Sequence, residues 1–196
     1  MPRRRLLAAV IAAACAVGLA ACSLPGADPY GQTVKQSQLV TTTKPGTGHV
    51  ASITWNLPYE PLTVDAAHSF NYAENTVIAN MCESLLRMTP GFSTSPALAT
   101  KVTEPDALTQ VYTIRPGVTF WDGTPMTAQD VAYSLNRNLD PKVGSYFANY
   151  YENVASITAT GPDEVTVRFS RPDALFESAM ATAAGAVMER AFTQKA

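Results

Sequence analysis

Apolar residues fall along this chain in two regimes. From Leu6 to Ala21 every residue is apolar or small, an unbroken run of Leu, Ala, Val, Ile, Gly and Cys15. After it, apolar positions recur at spacings of two or of three to four, which separate strands from helices. Ala51, Ile53 and Trp55 alternate with Ser52 and Thr54, predicting a half-buried strand. Leu57–Phe70 holds Pro58 and Pro61 without a steady period and reads as an ordered loop. Within Glu74–Leu86 the positions Val77, Met81 and Leu85, flanked by Ile78 and Cys82, form one helical stripe that ends at Thr89-Pro90-Gly91. Val111–Arg115 predicts a strand, Pro116-Gly117 a turn, Val118–Trp121 a short third strand and Asp122-Gly123 another turn. Thr127 followed by Asp130 is a capping-box variant, and Val131, Leu135 and Leu139 give the helix behind it a buried stripe closed by Pro141. Ile157–Thr160 and Val165–Phe169 alternate around Gly161-Pro162-Asp163, a hairpin; Ala174–Ala181 reads as a short helix, and a polar helical tail follows Met188. The fold class this pattern gives is α+β with hairpins and mixed pairing. No repeat shows at periods of roughly 20–50 residues.

The first run changes meaning in context. Arg3, Arg4 and Arg5 precede it and no acidic residue appears before Asp28, which is the layout of a secretory signal peptide. Its 16 residues fall short of the roughly 20 a membrane-crossing helix needs. Leu19-Ala20-Ala21-Cys22 resembles the lipobox of bacterial lipoproteins. That resemblance implies cleavage before Cys22, a diacylglycerol on its thiol, and attachment to the outer face of the cell membrane. The expected organisation is a lipoprotein signal peptide over 1–21, a flexible tether over 22–47 rich in Gly, Pro, Ser and Thr, and a folded part over 48–196. Cleavage leaves 11 basic residues against 16 acidic ones, a net charge of −5 instead of −2. Neither value offers the basic patch that nucleic acid demands. Three cysteines make no disulfide framework, and no Cys/His spacing resembles a zinc site, so no cofactor is expected. Cys82 reads as a small hydrophobe on a helix face.

Positive signs of catalysis are missing. His49 and His68 lack patterned partners and read as surface or packing residues. No nucleophile elbow, P-loop or zinc-protease motif occurs. Asp122 reads as a turn residue, and Glu104 and Asp106 as solvated positions in a Pro-containing loop. The aromatic density of Tyr146, Phe147, Tyr150 and Tyr151 stands out. It has two readings, a small-molecule cleft or a packing cluster.

The run from Tyr112 to Arg137, YTIRPGVTFWDGTPMTAQDVAYSLNR, resembles the signature of the family 5 extracellular solute-binding proteins, the peptide/nickel-type receptors of ABC importers. Glu83-Ser84-Leu85-Leu86, Pro96-Ala97-Leu98-Ala99, and Val165–Phe169 followed by Pro172 fit the same family. The resemblance covers about Ser52 to Ala196. It implies part of lobe one of a two-lobed periplasmic-binding-protein-like fold of the class II, cluster C type, incomplete because members run to several hundred residues. The hinge strands, the second lobe and the acidic group that pairs with a peptide's amino terminus are then expected outside this chain. The implied function is capture of oligopeptides or dipeptides, with nickel chelates, haem and sugars as family alternatives. Delivery would be to a permease driven by an ATPase. Ser69, Phe70 and Asn71, with Tyr146 and Phe147, are the implied ligand-binding positions. Phe120, Asp122, Gly123, Thr127, Asp130 and Val131 are the implied structural signature. Rival readings are a secreted lipid-anchored hydrolase with its catalytic residues beyond Ala196, and a surface adhesin or sensor on the same fold.

Overall fold

A computed structural model describes residues 46–195. The expected signal peptide, Cys22 and nearly all of the expected tether lie outside the described residues. Residues 46–49 are exposed and without regular structure, and one compact unit runs from Val50 onward.

The capping box is realised as a reciprocal cap. The Thr127 N–H donates to Asp130 Oδ2 at 2.9 Å and the Asp130 N–H donates to Thr127 Oγ1 at 3.3 Å. Two orphan amides are satisfied there, and a helix of ten residues, Ala128–Arg137, starts behind them. Val131 and Leu135 on its inner face are fully buried. Leu139 lies past the last helical residue and is exposed, so the stripe is shorter than its spacing suggested.

The first helix, Tyr72–Met81, is α1, and Ala128–Arg137 is α2. The strands are β1 Leu86–Met88, β2 Thr94–Pro96, β3 Ala99–Asp106, β4 Thr109–Ile114, β5 Val154–Gly161 and β6 Glu164–Phe169. Two four-residue helices, α3 Phe176–Ala179 and α4 Arg190–Thr193, complete the chain with short 3-10 turns at Ala66–His68, Ala148–Tyr151 and Ala183–Gly185. The strands β1 and β2 form a small antiparallel sheet; the larger sheet is antiparallel in the order β3-β4-β6-β5. Its inner face carries Tyr112 and Ile114 of β4 and Val165, Val167 and Phe169 of β6, all buried against α2, α3 and the Phe147–Tyr151 segment.

Several expected elements are corrected. The alternation at Ala51–Trp55 forms no strand, and Val50, Ile53 and Trp55 are exposed. Alternation creates a face, but a strand also needs a hydrogen-bonded neighbour, and among the described residues none pairs with this segment. The helix expected to reach Leu86 stops at Met81, because the chain turns extended at Cys82 to pair elsewhere. Leu85 N–H donates to Gly185 O at 3.0 Å, Leu86 N–H to Met180 O at 3.1 Å, and Val187 N–H to Glu83 O at 3.2 Å. Met81, placed on the buried stripe, is exposed, and the inner face is Ala73, Glu74 and Ile78. Val118–Trp121 is a turn-bound arm with a single bridge, Thr119 to Pro125. Pro125 offers no N–H to extend the ladder, and Gly123 makes the bend at φ 89°, a conformation side chains resist. Glu104 and Asp106 sit in β3, not in a loop. Glu104 accepts from Gln110 Nε2 at 2.8 Å, and Asp106 from the Leu108 N–H at 2.8 Å. The helix expected over Ala174–Ala181 is confined to Phe176–Ala179.

Candidate functional site

Asp65 organises the loop that precedes α1. Its Oδ1 accepts the Ala67 N–H at 3.1 Å, capping the 3-10 turn Ala66–His68. The same carboxylate meets the last residue of α2 in a fork, Arg137 Nη1 to Oδ1 at 2.8 Å and Nη2 to Oδ2 at 2.6 Å. Arg137 is the more buried partner, which makes the pair stronger than an exposed one of the same geometry. The Arg137 fork is the largest influence holding the Asp65 carboxyl below its ordinary value of 3.8; burial opposes it. A group depressed on folding stabilises the folded state above its unfolded value and loses that contribution as the pH falls through the folded value. Asp65→Asn is therefore expected to carry its full penalty at neutral pH. In parallel urea titrations of both proteins, the gap between midpoints should close only once the pH has dropped below 3.8.

The capped turn carries the expected ligand positions. Ser69 is fully buried, its hydroxyl donating to Asn75 Oδ1 at 2.9 Å, while Asn75 Nδ2 donates to the Phe70 carbonyl at 2.9 Å. Asn71 is the N-cap residue of α1 and makes no capping bond with its side chain. Phe70 is left 67% exposed. Across from it, the chain after α2 turns at Gly144 with φ 66° and returns to the same 3-10 turn, the Tyr146 N–H donating to Ala67 O at 3.0 Å. The Tyr146 ring stands edge-on to His68 at 5.6 Å and to Phe70 at 6.1 Å, and is 59% exposed. His68 Nε2 lies 2.8 Å from Val143 O, so that nitrogen carries a proton to the carbonyl. Phe147 points the other way: it is 9% exposed, packs in the core and stacks on Tyr150. The aromatic cluster thus divides, with Phe147 and Tyr151 packing in the core and Tyr146 facing solvent beside Phe70.

The expected signature residues make local turn, cap and core contacts. Asp122 accepts the Thr124 N–H and hydroxyl at 2.8 Å each, and the amide bond, the larger influence, holds its carboxyl below the ordinary range. Phe120 packs against the core and Val131 lies within it. Asp130 reaches further than a cap, its Oδ1 accepting the Arg190 N–H at 3.2 Å and so fixing the start of α4. Two grooves of about 510 and 670 Å³ flank Cys82, but neither is lined by Phe70 or Tyr146. Burial raises the Cys82 thiol above its ordinary range, which keeps it protonated. Among the described residues no cluster of His, Cys, Asp and Glu could hold a metal ion, and no helix is long and apolar enough to cross a membrane.

The exposed rings of Phe70 and Tyr146 thus stand beside a hydrogen-bonded turn. The surrounding scaffold agrees with the sequence resemblance. Residues 93–196 match the sequence profile of the bacterial extracellular solute-binding proteins, family 5, middle section.

The chain belongs to that family.

Among relatives of this family 5 chain, the oligopeptide-binding protein OppA of Bacillus subtilis (strain 168) is 30% identical over 156 residues. That stretch is 76% of this chain and 27% of the relative. The periplasmic murein peptide-binding protein MppA of Escherichia coli (strain K12) is 36% identical over 89 residues, 45% of this chain and 17% of that protein. The solved structure of the Escherichia coli murein tripeptide binding protein MppA superposes with a TM-score of 0.65 at 26% identity, over 70% of this chain and 30% of that one. The solved relatives are two-lobed periplasmic binding proteins, and this chain is a partial α+β unit covering part of one lobe. It spans less than a third of each relative.

Asp65 and Arg137 were not among the positions the sequence singled out, and His68 was read only as a surface or packing residue without a patterned partner. Asp65 and Arg137 lie 72 residues apart, and nothing local marks them as partners.

Proposed function

We propose that this chain is part of a lipid-anchored receptor that captures peptides outside the cytoplasmic membrane and hands them to an ABC permease and its ATPase. The observation that carries the reading is the exposed Phe70–Tyr146 pair on a family 5 scaffold whose relatives are named for peptides. Phe70 and Tyr146 form the half-site, offering apolar area and one phenolic hydroxyl to a ligand; Ser69 and Asn71 shape its floor. Phe147 supports it from the core. The chemistry is reversible capture with no bond made or broken. Closure of a second lobe over the half-site supplies the affinity and the shape that docks on the permease. Cys22 carries the lipid, and residues 22–47 give the receptor reach from the membrane surface. Isothermal titration of the full-length receptor with trialanine is the test, with the recovered peptide analysed by mass spectrometry. Saturable binding with the peptide intact is expected, and no tight binding by the 196-residue chain alone. Cleaved peptide would replace this reading with the hydrolase.

A further inference from the structure

Three side chains stand in line behind the exposed rings. Arg137 closes α2 and grips the Asp65 carboxylate through both of its oxygens. Asp65 caps the turn that ends in His68 and also faces the His68 ring, with Oδ2 3.5 Å from Nδ1. The other ring nitrogen, Nε2, reaches Val143 O at 2.8 Å, on the segment leading into Tyr146. The rim of the His68 ring meets the Tyr146 ring, and the Tyr146 backbone is tied to Ala67. A second brace runs parallel, in which Ser145 Oγ donates to Asn138 Oδ1 at 2.6 Å just past the end of α2. The chain of contacts runs from the largely buried Arg137 side chain to the Tyr146 ring, which is 59% exposed.

We propose that Asp65, Arg137 and His68 are positioning residues for the peptide half-site, transmitting the fixed end of the signature helix to the orientation of Tyr146. This rests on the reading of Phe70 and Tyr146 as ligand contacts. A bidentate guanidinium–carboxylate pair fixes direction as well as distance, which a lysine could not. It locks the carboxylate that caps the turn, and the turn in turn holds both aromatic residues from one side. Binding sites lose affinity when such supporting groups are left free to move.

The chain supplies its own spectroscopic control. It has two histidines, and His49 is exposed in a segment without regular structure while His68 abuts a tyrosine ring. In proton NMR of the 196-residue chain, the His68 ring resonances should be displaced from those of His49 by the Tyr146 ring. Tyr146→Leu should abolish the displacement. Asp65→Asn should collapse it too, with far-UV circular dichroism unchanged, and Asp65→Glu should restore part of it. If Asp65→Asn does not fold, Arg137→Lys removes the fork while keeping the charge and is read the same way. In the full-length receptor, Asp65→Asn should weaken trialanine binding by about tenfold. An undisturbed His68 spectrum in the Asp65 or Arg137 variant overturns the proposal. So does unchanged affinity in Asp65→Asn when Tyr146→Leu weakens binding, an outcome that leaves the half-site reading intact. Unchanged affinity in both variants removes the half-site, and the proposal with it.

Discussion

Gly185→Ala is expected to destabilise the folded unit by about 2–4 kcal/mol, more than any cap or surface pair in the molecule. The reason is a close approach of two backbones, not a conformation only glycine can adopt. A methyl group at this position would lie 2.7 Å from Met180 Cα and 2.8 Å from its carbonyl carbon, and closer still to its carbonyl oxygen. Side-chain rotation cannot relieve a clash with main-chain atoms. Separation is blocked as well, because both sides are pinned. Met180 O accepts from Leu86, Gly185 O accepts from Leu85, and the neighbouring Ala184 carbonyl takes the buried Tyr151 hydroxyl at 2.6 Å. Urea unfolding of the full chain, followed by tyrosine and tryptophan fluorescence, measures the shift in midpoint. A change under about 1 kcal/mol, within the ordinary run of point mutations, would mean that the two backbones can part.

Leu135→Ala is expected to cost about 2–5 kcal/mol, while Leu139→Ala costs about 1 kcal/mol or less. The two lie four residues apart and the same periodic stripe includes both. Leu135 has no exposed surface and sits in the core that α2 shares with the large sheet. Removing its side chain leaves a cavity that the rigid strands cannot fill. Leu139 follows the end of the helix, outside the core, and is 36% exposed. The paired measurement separates spacing from packing. Equal effects would show that the helix continues past Arg137 in solution.

That pair also marks the limit of what the sequence disclosed. The cap at Thr127 and the hairpin around Gly161-Pro162-Asp163 were legible because their partners lie within a few residues. The end of α1 was not, because residues 83–86 are claimed by backbone groups almost a hundred positions away, as the Ser84 hydroxyl's bond to Thr182 O at 2.7 Å illustrates. The strands β1, β2 and β3 were missed for a related reason. They are short or interrupted by Pro105, and their order comes from neighbours rather than from their own alternation. At the candidate site, Phe70 and Tyr146 were each named as ligand-binding positions only through the family resemblance, and nothing in the sequence said that their rings would meet. The ion pair beneath them joins residues that no local pattern connects. Phe147 was named beside Tyr146, but adjacent residues on a turn face opposite ways, and here one of them entered the core.

The order of the large sheet, β3-β4-β6-β5, has a consequence for the time course of folding. Each outer pair is a local hairpin that can close by itself in microseconds. The central seam, where Val111 faces Thr166 and Tyr112 faces Val165, joins them across the whole signature helix. Closing that long loop costs entropy before any contact repays it. The seam is therefore expected to set the barrier, and the helix capped by Thr127 lies inside the loop that must close. If the helix forms early it shortens the effective reach between the two hairpins, so removing the cap is expected to slow folding of this unit as well as to lower its stability.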